Sequence, residues 1–277
     1  MSPVKHWLSF IVLCLSIGNL SAQGLSIGVW VGISNYFGDL NTTANFEYAG
    51  PGTGIFLRKA FNTRFAYKGS INYGKIAFSD EANDNVYQKT RNLSFESPII
   101  EFSNELEFNF FKFDVKEEKH NFTPYLLIGF SVFYFNPTTE LDGMQVRLQE
   151  YATEGQGTED SEKRKYTRAS FAVPMGFGFK YSFDPRWTLG LEGGIRKTFT
   201  DYLDDISGTY PEFVNNTPDN SLGERLSDRS SEVSEPIGLP GKQRGSNNRK
   251  DDYLFVGLSL SYNILKVRCP DPSSKGF

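Results

Sequence analysis

His120 is the only histidine after the amino-terminal segment 1–22, and it stands beside Glu117, Glu118 and Lys119. An imidazole titrating near neutrality can act as a general base and activate a serine, threonine or cysteine nucleophile, provided it faces a substrate. This one falls in a short charged turn between two apolar-periodic segments, so it is expected to be a solvated turn histidine. No catalytic residue is assigned, and the chain is expected not to be an enzyme. Its histidines and cysteines lack the spacing of a zinc site. Asp80, Glu81, Asn83, Asp84 and Asn85 offer oxygen ligands of the kind calcium takes. They lack the glycine and the closing glutamate of a known calcium loop, and an ordinary solvated acidic loop is expected, with no metal and no cofactor.

Cysteine chemistry reduces to one position. Cys14 lies in the apolar run 7–18, which follows Lys5 and His6 and precedes Ser21 and Ala22. That pattern reads as a secretory signal peptide over 1–22, with cleavage before Gln23. Leu13, a large residue, precedes Cys14 where a lipoprotein signal needs a small one, so no lipid anchor is read. Cys269 then remains in the tail 266–277, and an odd cysteine in an exported chain points to an intermolecular disulfide or to an incidental thiol.

The largest group of ionisable residues is embedded in apolar surroundings: Lys68, Glu101, Glu105, Glu107, Lys180, Glu192 and Arg196. The elements that carry them explain how this is tolerable. From 168 to 183 apolar residues occupy every second position, namely Ala169, Phe171, Val173, Met175, Phe177, Phe179, Tyr181 and Phe183, with Gly176, Gly178, Lys180 and other small or polar residues between. A period of two places the two sets on opposite faces of a strand. At ~3.3 Å per residue that strand runs for roughly 50 Å, well beyond the strands of most soluble sheets. A bulky apolar face opposite a small or charged one is the pattern of a lipid-facing barrel.

Seven further segments alternate in the same way: 25–37, 52–59, 64–78, 93–113, 124–135, 187–200 and 253–264. In the fourth, Ile100, Phe102, Leu106, Phe108 and Phe110 oppose Glu101, Ser103, Glu105, Glu107 and Asn109. Connections at 60–63, 116–120 and 184–186 are short, whereas those after the odd-numbered segments are long, reaching 136–167 and 201–250. Short turns alternating with long loops, and an even strand count, predict an all-β fold: one antiparallel transmembrane barrel of about eight strands. Periplasmic turns and termini and an outer-membrane location follow from that arrangement. A secreted β-sandwich would show shorter strands without the long-short alternation. The barrel is expected to span 23–265, with 201–250 as a loose outer loop and 266–277 as a periplasmic tail. Pro174 removes a ladder hydrogen bond in a fold without edges, and a local bulge is expected there.

Composition agrees and excludes other classes. Aromatic residues make up 15% of the 277 residues, led by 25 Phe and 14 Tyr, which suits interfacial girdles. No later run of ~20 apolar residues exists, so helical spans are excluded. Mean hydropathy is -0.40 because alternating strands and polar loops cancel. A formal charge of -4 with interspersed signs gives no footprint for nucleic acid. Eight strands enclose a lumen just wide enough for side chains, so the inward charges are expected to interlock rather than to line a pore.

Several stretches carry a family resemblance: NYFGDLN (35–41), SPIIE (97–101), ELEFNFF (105–111), Pro124 and Tyr125 with FYFNP (133–137), TEGQG (153–157), PMGFGFK (174–180) and RKTFTDYLDD (196–205). Together they resemble the PorG-type, DUF6089 outer-membrane proteins of Bacteroidetes, over nearly the whole chain after the signal. The resemblance implies an outer-membrane component of the type IX secretion system. Its implied partners are outer-membrane lipids, a periplasmic PorK-type lipoprotein and a PorN-type ring protein, which the barrel would tie to the membrane. The loop from Asp201 onward departs from typical members in length and low complexity. The alternative class is a surface barrel or adhesin of the OmpA kind without a role in secretion, and a third is a small porin.

Overall fold

The computed structural model describes residues 24–157, 164–212, 218–246 and 249–265. Eight long strands form a closed antiparallel barrel: β1 (Gly24–Phe37), β2 (Gly50–Ala60), β3 (Phe65–Ser79), β4 (Ser94–Asn109), β5 (Phe122–Phe135), β8 (Ala169–Asp184), β9 (Trp187–Thr198) and β10 (Asp252–Ile264). Each pairs with its barrel neighbour in sequence, β1 pairs with β10, and no edge is left. A short hairpin, β6 (Thr138–Leu141) and β7 (Met144–Arg147), hangs from the loop end of β4 through one pair, Glu96 with Thr138. Two helices lie in the long loops, α1 (Val86–Arg91) and α2 (Pro218–Ser227).

The eight expected segments coincide with the eight strands to within a few residues at each end. Parity is kept throughout: Ile27, Val29 and Val31 on β1, Phe102 and Leu106 on β4, and Phe171, Phe177 and Phe179 on β8 are exposed on the outer wall. Exposed apolar side chains on every long strand would be untenable in water, and in a bilayer they are the solvated face. No helix among the described residues is long and apolar enough to cross a membrane.

Pro174 is accommodated without the expected bulge. It pairs with Arg196 of β9, while on the β5 side the ladder skips two partners between Ile128–Met175 and Ser131–Ala172 and resumes in the same register. A proline needs only one of its two sides free of a donor, so one gap suffices. The register shift in β8 lies instead at Ser182 and Asp184, beside the tight turn into β9.

Toward the end that carries the long loops, the facing pattern inverts. On β3 and β4 the outward positions become polar, with Lys75, Ser79, Ser94 and Glu96, while the inward ones become Ile76, Phe78, Phe95 and Ile99, all buried. This is the pattern of a water-soluble barrel. The strands therefore outlast the apolar belt, and their upper ends join the loops around one core of Tyr36, Leu40, Phe133, Phe135, Leu203, Ile206, Leu226 and Tyr253 among others.

That core includes part of the stretch expected to be loose. Leu203, Ile206, Tyr210, Leu226 and Arg244 are buried, and α2 forms within the same stretch. Its low complexity hides a few apolar anchors at wide spacing, which no short-range period reveals. The tail with Cys269, the segment 1–22 expected to be a signal peptide, and parts of the long loops lie outside the described residues.

Candidate functional site

All seven charges expected inside the lumen are there, and an eighth joins them. Arg58 Nε lies 2.9 Å from Glu107 Oε1, and Lys180 Nζ lies 2.6 Å from Glu107 Oε2. Lys68 Nζ bridges Glu192 Oε1 at 2.6 Å and Glu105 Oε2 at 2.9 Å. Arg196 reaches Glu101 at 3.3 Å and Glu105 at 3.7 Å. Tyr125 donates to Glu192 and Tyr253 to Glu101, each at 2.6 Å, and Asn72 adds a 2.7 Å bond to Glu101. Four cations thus face four carboxylates, and the lumen carries no net charge. Arg58 is hard to find from sequence because β2 alternates weakly, but its parity with Phe56, opposite exposed Ile55 and Leu57, marks it as inward.

The lumen is also nearly filled. The gap lined by Trp30, Phe56, Lys68, Asn72, Glu192 and Arg196 is about 20 Å³, room for about one water, and a second at the short-turn end, lined by Arg58, Lys180, Thr188 and Asn263 among others, is about 50 Å³. Gly28 shows how tightly the wall is packed, since a Cβ there would fall 2.3 Å from Phe56 Cζ. A selective pore needs an opening and an excess of one sign along it, and these small gaps and balanced charges supply neither feature locally. Purified protein in planar bilayers is expected to give no single-channel steps at any voltage the membrane tolerates. Discrete conductance from the folded, heat-modifiable species would contradict the filled lumen.

The second concentration of polar groups is the loop cap. Asp80, expected in a solvated acidic loop, is buried and takes a two-pronged ion pair from Arg91: Nε to Oδ2 at 2.7 Å and Nη2 to Oδ1 at 2.8 Å. Helix α1 aims that arginine inward, and Asn92, in the left-handed region at φ 55, ends the helix directly after it. Arg91 also donates to the carbonyl of Arg244, and Arg244 donates to Glu154 and to the carbonyl of Asp205. Glu154 accepts the amides of Ser207 at 2.8 Å and Gly208 at 3.0 Å. Asp205 accepts from Thr153 and, at 2.6 Å, from Tyr166. Burial nevertheless holds its carboxyl at about 6, above the ordinary range, and burial does the same to Asp39.

The stretches that carry the family resemblance sort into these two places. Glu101, Glu105, Glu107, Lys180 and Arg196 fill the lumen, while Tyr36, Asp39, Thr153, Glu154, Asp204 and Asp205 meet in the cap. His120 stands apart in the β4–β5 turn, at the end of the barrel where β1 begins and β10 finishes, with Nδ1 2.7 Å from Glu117. The described residues contain no group of three or more histidines, cysteines or acids arranged to hold a metal ion.

Comparison with known proteins gives a family. The sequence matches the family described as "Domain of unknown function (DUF6089)" over residues 5–220. No curated protein matches it. Among solved structures, Neisserial surface protein A aligns with a TM-score of 0.43 at 8% identity, covering 87% of this chain and 97% of that one. Ail of Yersinia pestis in complex with sucrose octasulfate aligns at 0.41 and 10% identity, covering 87% and 99%. A major outer membrane protein from Thermus thermophilus aligns at 0.39 and 10% identity, covering 88% and 100%. Likeness at this level carries no argument about what this chain does.

Proposed function

The chain belongs to the DUF6089 family, and from that membership and the filled barrel we propose that it is a non-enzymatic, non-conducting outer-membrane scaffold of the type IX secretion machinery. The filled, charge-neutral lumen carries this reading. A barrel that transports nothing through its interior has only its two rims to work with. One rim consists of short turns, including that of His120, together with both ends of the barrel. In this proposal it faces the periplasm, and the chain continues from it into the tail 266–277. It would tie a PorK-type lipoprotein and a PorN-type ring protein to the membrane, in line with the resemblance carried by the motifs above.

Truncation after Ile264 tests the proposal, because it leaves every strand complete. The truncated barrel is expected to insert and fold but to lose crosslinks to ring proteins and to lower secretion of their cargo. Undiminished crosslinking and secretion, or a crosslinked full-length protein with no secretion component beside it, would count against it.

A second reading, surface recognition by the loop rim, has the packed cap in its favour, since loose loops would suffice for mere spacing. It predicts that cap variants alter binding at the cell surface and leave secretion intact.

A further inference from the structure

The cap, unlike the lumen, has more acids than bases. Among the described residues, Asp39, Asp80, Asp201, Asp204, Asp205, Asp251 and Glu154 come together there with Arg91, Arg244 and Lys250. Each cation is already committed: Arg91 to Asp80, Arg244 to Glu154, and Lys250, at 3.7 Å, to Asp201. Asp252 turns outward onto Lys197. Asp204 and Asp251 are fully enclosed, and among the described residues neither has a cation within ion-pair distance.

Their hydrogen bonds place them against a single donor. Asp204 Oδ1 accepts the amide of Ile206, and Asp251 Oδ2 accepts that of Leu203, each at 2.9 Å. The remaining oxygens converge on the hydroxyl of Tyr36, with Asp204 Oδ2 at 2.5 Å and Asp251 Oδ1 at 3.1 Å. Gly38 closes over the group so tightly that a Cβ there would fall 2.0 Å from the hydroxyl and 2.1 Å from Asp251 Oδ1. A phenol has one hydrogen and can donate it to one carboxylate only. Two ionised carboxylates on one hydroxyl would leave a lone pair facing a charge in a dry site.

We propose that the closed cap stores one exchangeable proton on Asp251, which donates it to Tyr36 while Tyr36 donates to Asp204, and that losing this proton unlatches the cap. The three residues belong to β1, to the start of the β9–β10 loop and to its end, so the chain Asp251–Tyr36–Asp204 pins the long loop to the barrel rim at both ends. Burial pushes both carboxyls well above the ordinary range; the charge of Asp39 raises Asp204 further, and those of Asp204, Asp201 and Asp39 raise Asp251. The sign follows from linkage. A group whose carboxyl is raised in the folded state contributes stability below its ordinary range, and that stability is lost as pH rises through the raised value. The latch therefore opens toward alkaline pH. The charge-balanced lumen has no such excess, and the barrel stays closed.

Infrared spectroscopy and pulse proteolysis of the full-length folded protein in bilayers test this together. Above about pH 7, where Asp39 and Asp205, held at about 6, have ionised, the parent is expected to show the C=O band of a protonated carboxylic acid. That band fades as pH rises, while cleavage within 201–250 accelerates by about tenfold per pH unit, the slope for one proton. Asp251→Asn keeps a donor toward Tyr36, so it should lack the band, remain protected and lose the pH dependence. A band that survives in Asp251→Asn, or the same pH dependence in parent and variant, overturns the proposal. If Asp251→Asn fails to fold, the parent decides alone: cleavage that rises without loss of the band overturns the proposal, and the two moving together support it.

Discussion

Glu107→Leu is expected to cost the barrel about 3–5 kcal/mol, the usual loss when one partner of a buried ion pair is removed. Glu107 is wholly enclosed and spends both carboxylate oxygens on cations, Arg58 at 2.9 Å and Lys180 at 2.6 Å. Leucine leaves both cations desolvated, and neither Glu105 nor Glu192 is spare, because Lys68 engages both. The measurement is the urea midpoint of the heat-modifiable band in bilayers or detergent, which should fall well below that of the parent. Adding Arg58→Met and Lys180→Met should restore most of the loss, since replacing a buried ionic group by apolar residues of similar size is often neutral. An unchanged midpoint in Glu107→Leu would mean that water reaches the site and that the lumen is not dry.

Arg91→Met is expected to have an effect of the same order, confined to the cap. Arg91 joins three long loops: it pairs with Asp80 in the β3–β4 loop, and it donates to the carbonyls of Arg244 at 2.7 Å and Asp39 at 3.3 Å in the other two. Methionine fills the space but leaves Asp80 buried without its cation, a change worth about 3–5 kcal/mol. Because the strands below are held by their own ladders and ion pairs, the gel mobility of the folded barrel should hold while proteolysis within 201–250 becomes fast. Arg91→Lys should rescue only partly, since an ammonium cannot reproduce the two-pronged contact and the carbonyl bonds together. Equal loss of barrel and cap would show that the two unfold as one unit.

Most of the barrel was legible because its signal is local. In 168–183 and in 253–264 each residue's face follows from parity alone, and a bilayer demands that the outer set be apolar whatever the rest of the chain does. The lumen charges were legible for the same reason: Glu101, Glu105 and Glu107 share one parity, so they share one face. Arg58 was not, because glycines and a proline blur the alternation at the start of β2. Nor was the matching of carboxylates to cations, since the pairing of Lys68 with Glu192 depends on strands β3 and β9 facing each other across the barrel.

The sequence by itself determined that the chain crosses a membrane in eight strands, which residues face lipid, and which charges face inward. All of these depend on a period of two that any strand must obey. Tertiary structure alone decided that a neutral network occupies the lumen, that the strands rise beyond the lipid into a water-soluble core, and that the described parts of 201–250 pack as a cap. It also decided that Tyr36, Asp204 and Asp251 meet, although they are separated by 168 and 215 residues of chain. Contacts of that kind depend on barrel closure and strand register, and no local pattern in the sequence encodes them.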